Sequence, residues 1–136
     1  MDVEISDGNT AIRSVLIVED EALLALVIED IVRDLGADSV QIFCEAAPAL
    51  DAAANSDFDC AILDVVLPDG ESTPVADILA QRGIPFLFST GSGRDSVPER
   101  HRHRPIITKP FPDGDLQALL LEAMTSRDGA PRQAAE

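Results

Sequence analysis

The chain has 136 residues, a formal net charge of −15, and neither tryptophan nor tyrosine. That length gives one compact domain with a real core and excludes two of ordinary size, while the surplus of carboxylates argues against nucleic acid as a direct partner, since its phosphates call for Lys and Arg in excess. No apolar run approaches the ~20 residues of a membrane span and no secretory leader opens the chain; Cys44 and Cys60, each in an apolar stretch, read as small hydrophobes and not as a disulfide, so a reducing cytoplasm is expected.

In chain order, residues 1–13 are polar and aperiodic and read as a flexible arm. Val15 to Val18 is a β-branched run, followed by a helix in which Leu24, Val27, Ile28, Ile31 and Leu35 recur at helical spacing before Gly36 stops it. Val40 to Phe43 is a second strand, and the alanine-rich stretch after Pro48 a short helix that buries Leu50, Ala53 and Ala54. Cys60 to Leu63 is a third strand. The turn residues Pro68-Asp69-Gly70 then lead to Thr73 as helix N-cap and Pro74 as the first helical position, with Val75, Ile78 and Leu79 facing inward. Pro85 to Ser89 and Pro105 to Thr108 are strands four and five. Asp113 opens a last helix with Leu116, Leu119, Leu120 and Ala123 on one face, and residues 126–136 read as a second flexible tail. The Gly91 to Arg104 segment has few apolar residues, so any helix in it should be short and weakly held. Alternation of strand and helix predicts α/β architecture with a parallel sheet.

The residues just past each strand carry the chemistry. Glu19 and Asp20 come after the first, Asp64 after the third, Thr90 after the fourth, and Lys109, the only lysine, after the fifth. In an open parallel sheet these C-terminal strand ends share one rim. Three carboxylates gathered there repel one another and call for a hard divalent cation, Mg²⁺ or Mn²⁺, with Asp20 and Asp64 as direct ligands and Glu19 acting mainly through water. A carboxylate beside such an ion is also a nucleophile toward phosphorus, with Lys109 neutralising the transferring group and Thr90 donating a hydroxyl to it. Taken singly, each residue has a plainer explanation. Glu19-Asp20-Glu21 suits a helix N-terminus, Asp64 and Lys-Pro suit turns, and Thr90 is an ordinary strand residue; the ordered set is what points to a site.

At these positions the sequence resembles the bacterial two-component receiver domain, through Val-Leu-Ile-Val-Glu19-Asp20-Glu21, Ile-Leu-Asp64-Val-Val-Leu-Pro-Asp-Gly, Ser-Thr90-Gly and Thr-Lys109-Pro110-Phe111, over about residues 14–125. The resemblance implies a flavodoxin-like doubly wound five-stranded parallel sheet of order 2-1-3-4-5 with helices on both faces. It also implies Mg²⁺ on Asp20, Asp64 and the Val66 backbone carbonyl, phosphoryl transfer to Asp64 from a sensor histidine kinase or histidine phosphotransfer protein, phosphoryl contacts from Thr90 and Lys109, and a cis Lys109-Pro110 bond. Ile106 stands where many members carry an aromatic switch residue. The stretch Pro85-Phe-Leu-Phe-Ser-Thr-Gly resembles the variant group called FAT GUY, which shares that absence and often stands alone.

The function expected is therefore a stand-alone phosphoacceptor, not an enzyme, whose output is protein contact, with no nucleic-acid or membrane partner. Arg94, Arg100, His101, Arg102, His103 and Arg104 form the one basic concentration, either a docking patch for a downstream protein at the Gly91 to Arg104 face or a solvated loop. Two alternatives stand beside this reading. A haloacid-dehalogenase-like Mg²⁺-dependent phosphatase needs an acid two residues after its nucleophile, where this chain has Val66; a degenerate receiver would serve as a binding module only.

Overall fold

The computed structural model describes residues 12–112 and 114–133. Most of the expected N-terminal arm, and the Asp113 expected to open the last helix, lie outside them. The elements are β1 (Ser14–Val18), α1 (Ala22–Asp34), β2 (Ser39–Phe43), α2 (Ala46–Asn55), β3 (Cys60–Asp64), α3 (Thr73–Gln81), β4 (Phe86–Thr90), β5 (Ile106–Thr108) and α4 (Asp115–Gln133). A small hairpin, Val66–Leu67 against Gly70–Glu71, fills the connection after β3. Two 3₁₀ turns, Arg94–Ser96 and Glu99–His101, lie between β4 and β5. The last helix runs past Thr125, where the sequence reading ends the domain.

The five strands form one parallel sheet of order β2-β1-β3-β4-β5, the doubly wound arrangement expected. The three inner strands β1, β3 and β4 are apolar on both faces because helices cover both. Every residue of β3 and β4 is buried. On one face Leu16, Val18, Ala61, Leu63, Phe86 and Phe88 meet α2 and α3. On the other, Val15, Ile17, Ile62 and Leu87 meet α1 and α4 through residues such as Ile28, Val32, Leu116 and Leu120.

Several inward positions differ from expectation. On α1 the fully buried row is Ala25, Ile28 and Val32, and Val27 is half exposed. The helix carries two adjacent apolar rows, and the one containing the small Ala25 lies on the sheet. On α2 the buried set is Ala49, Ala52 and Ala53, with Leu50 partly buried and Ala54 facing solvent. Ser72 is the N-cap of α3, without a side-chain bond to the helix, and Thr73 is already helical. Cys44 is exposed just past the end of β2; Cys60 is buried, and desolvation pushes its thiol up to about 12. Both thiols are free. No helix among the described residues is long and apolar enough to cross a membrane.

Candidate phosphoacceptor and metal site

Parallel pairing in register puts the ends of β1, β3, β4 and β5 at one edge, and the residues just beyond them converge. Ligand-capable oxygens of Glu19, Asp20 and Asp64 all lie within 4.8 Å of one another. Lys109 reaches them from beyond β5, held by its backbone N–H donating to the Thr90 carbonyl at 2.8 Å. Its ammonium lies 3.0 Å from Asp64 Oδ2 and 3.0 Å from Glu19 Oε1, and it donates to Glu19 Oε2 at 3.3 Å. The Lys109-Pro110 peptide is cis.

Glu19 and Asp64 are buried, whereas Asp20 faces solvent. Burial raises the pKa of Asp64 above the ordinary carboxylate range, and the neighbouring Asp20 adds to the rise, against the lowering effect of Lys109. Glu19 is raised for the same first reason, with Asp64 contributing. Burial works against the charge of Lys109, but its bonds to Asp64 and Glu19 outweigh that and leave its pKa raised. Three acids thus face one ammonium, an arrangement short of positive charge.

A divalent cation fits this donor set on a further observation. Glu19 Oε2 accepts the Glu21 N–H at 3.0 Å, so the carboxylate helps to hold the start of α1, the simpler role envisaged for it. Its other oxygen, Oε1, is buried near the ammonium yet receives no aligned hydrogen bond. A buried carboxylate oxygen with a free lone pair in an all-oxygen cluster suits a hard ion or the water such an ion carries. Val66, the residue whose carbonyl the resemblance adds to this set, lies in the hairpin directly after β3 with its side chain 62% exposed. An apolar, outward side chain there leaves no acid two residues beyond Asp64.

Thr90 ends β4 and is buried. Its Oγ1 accepts the Ser92 N–H at 3.0 Å and lies 3.0 Å from Ser96 Oγ. Ser96 spends its own proton on the Gly93 carbonyl at 2.7 Å, so Thr90 is the donor to Ser96. The hydroxyl therefore engages the segment just beyond it. Sequence reasoning missed Ser96, because nothing in the spacing of Thr90 and Ser96 shows that two 3₁₀ turns fold one onto the other.

The basic segment is also more tightly held than a solvated loop. Asp77 of α3 receives two bonds from Arg100, at 3.0 and 2.8 Å, and lies 2.8 Å from His101 Nε2. Arg104 donates to His101 Nδ1 at 3.3 Å and stacks over Phe86 at 4.2 Å, which leaves Nε2 as the nitrogen that donates to Asp77. Arg94 and Arg102 are bonded to carbonyls of the segment itself. These guanidinium groups staple the segment, which buries His101 and Val97 against Phe86, Phe88 and their neighbours.

Residues 15–121 match the family model of the response regulator receiver domain. The chain belongs to the response regulator receiver family. It is 31% identical over 125 residues to the phyllosphere-induced regulator PhyR of Methylorubrum extorquens, an alignment covering 89% of this chain and 47% of that protein. The receiver chain thus spans about half the length of that curated relative. The solution structure of SdrG from Sphingomonas melonis Fr1 is 46% identical, with a TM-score of 0.70 over 82% of this chain and 98% of that one. The receiver domain of the sensor histidine kinase PA1611 from Pseudomonas aeruginosa, solved with magnesium in its active-site cleft, matches with a TM-score of 0.69 over 85% of this chain and all (100%) of that one. At 23% identity that likeness bears on the fold alone.

Beside the site a groove of about 960 Å³ runs between α1 and the loop after β5, lined by Leu24, Val27, Ile31, Pro110 and Phe111 with Asp20 and Lys109 at its polar end. Its outer lip is Leu23, 80% exposed, and Leu26 nearby is 56% exposed. Large apolar side chains are thus grouped at the rim of the acidic cleft.

Proposed function

We propose that this receiver accepts a phosphoryl group on Asp64 from a histidine of a sensor histidine kinase or histidine phosphotransfer protein, and signals by protein contact. The observation that carries the reading is the Lys109 ammonium 3.0 Å from Asp64 Oδ2 inside a three-carboxylate cluster. A cation so placed neutralises an anionic phosphoryl group as it reaches an anionic nucleophile. Glu19, Asp20, Asp64 and the Val66 carbonyl would hold Mg²⁺ or Mn²⁺, which when bound supplies further charge neutralisation on the phosphoryl oxygens. A carboxylate oxygen of Asp64 attacks phosphorus, the bond from phosphorus to the donor imidazole nitrogen breaks, and that nitrogen keeps the electron pair.

The exposed Leu23 and Leu26, with the groove behind them, offer the donor protein an apolar surface beside the acceptor. The reading of Gly91 to Arg104 as the output face draws support from Thr90. To reach a phosphoryl oxygen its hydroxyl must leave Ser96, which releases one tie on that segment. Incubation with acetyl phosphate and Mg²⁺ tests the acceptor chemistry. One phosphoryl group per chain by intact mass, absent with EDTA, is the expected result; no mass gain, or equal labelling of Asp64→Asn, overturns it.

A further inference from the structure

The loop just after the acceptor is anchored at a distance. Asp69, at the tip of the hairpin after β3, accepts the N–H of Ala46 at 2.6 Å and of Ala47 at 3.0 Å. These are the first two residues of α2, and that helix takes no side-chain bond from its own N-cap, Glu45. Asp69 thus caps a helix 23 residues away. At the base of the hairpin the Ser72 N–H donates to the Val65 carbonyl at 3.0 Å. On the other side of the same junction the Phe43 carbonyl, at the end of β2, accepts the N–H of Glu19 at 2.9 Å.

Both acid-bearing loops are therefore fastened to one short stretch, residues 43–47. One loop carries Glu19 and Asp20; the other carries Val66, two residues after Asp64. Metal ligands on separate loops bind well only when their spacing is fixed before the ion arrives, because each disordered loop otherwise loses entropy on binding. We propose that Asp69 is a positioning residue for the cation site: by capping α2 it ties the loop after Asp64 to the junction that also holds Glu19, and so sets the spacing of the ligand groups. Only a carboxylate reaches both N–H groups in this way, since each of its oxygens accepts one. The inference rests on the reading of the acidic cluster as a Mg²⁺ site.

Mg²⁺ titration of the full chain, followed by amide shifts, tests it with four proteins. Asp69→Ala should bind Mg²⁺ about tenfold more weakly than wild type. Asp69→Asn, which keeps one acceptor oxygen, should recover part of that loss. Ala54→Gly weakens α2 at an exposed position without touching the cap, and should lower the melting temperature while leaving Mg²⁺ affinity unchanged. Wild-type affinity in Asp69→Ala, or an equal loss in Ala54→Gly, overturns the proposal and leaves the metal site standing. A wild type that takes up no Mg²⁺ overturns the metal site and this inference with it.

Discussion

Lys109 is the residue on which the site's electrostatics turn, for among the described residues it is the one cation that reaches the buried Glu19 and Asp64. Because burial raises the pKa of Asp64 in the fold, the group contributes stability that is full below its unfolded value and lost as pH rises through the folded one. At neutral pH and without metal, the buried Asp64 carboxyl therefore weakens the fold. Replacing it relieves that cost, since Lys109 keeps its pairing with Glu19. Asp64→Asn should raise stability in EDTA at pH 7 by on the order of 1 kcal/mol in thermal melts, and an unchanged or lower midpoint would count against the pKa direction. The acids, Thr90 and Lys109 were legible in the sequence because each stands just past an apolar run, where topology dictates convergence. Ser96 and Asp69 were not, because their roles depend on the path of irregular backbone: Asp69 reads as a turn residue in Pro-Asp-Gly until the hairpin swings it onto α2.

At the scale of elements, α1 and the segment before β5 do different work. The helix buries Ala25, Ile28 and Val32 and leaves Leu23 and Leu26 to solvent and Val27 half exposed; periodicity turns Val27 inward and passes over Ala25 and Val32, because the two adjacent rows are both apolar. Leu23→Asp with Leu26→Asp should change stability by no more than about 0.5 kcal/mol per site. Phosphoryl transfer from a histidine donor should slow at least tenfold, with labelling by acetyl phosphate intact. Equal loss with both donors would mean that the site itself is damaged. The 94–104 segment reads in sequence as loosely held and basic. Its two 3₁₀ turns fit that, but His101, buried at the Phe86 and Phe88 rings and bonded to Asp77, fastens it to α3. His101→Ala opens a cavity and strips Asp77 and Arg104 of a partner, a loss of about 2–3 kcal/mol in urea melts. Asp77 itself is held down to about 2, chiefly by Arg100 with His101 adding to it. Its contribution is present above the usual carboxylate value and fades as pH falls toward 2, and with 37% of the side chain exposed it is worth less than about 1 kcal/mol.

For the whole molecule, strand order and the two-sided core followed from sequence because β-branched runs alternating with amphipathic helices have few parallel solutions. The same topology makes metal, charge and stability one problem. An ion that binds the folded acids and not the unfolded chain should stabilise the fold by about 2.7 kcal/mol at a hundred times its dissociation constant. Because Glu19 and Asp64 hold their protons to higher pH than ordinary carboxylates, that Mg²⁺ stabilisation should weaken on acidification before the ordinary carboxylate range is reached, in melts from pH 7 downward. Locating the acyl phosphate on the chain is the decisive test of the acceptor assignment. After labelling with acetyl phosphate and Mg²⁺, borohydride reduction converts a phosphorylated aspartate to homoserine, and peptide mass spectrometry reads its position. Homoserine at residue 64 alone is the expected result; homoserine at Asp20 or any other acid, with Asp64 unmodified, would contradict it.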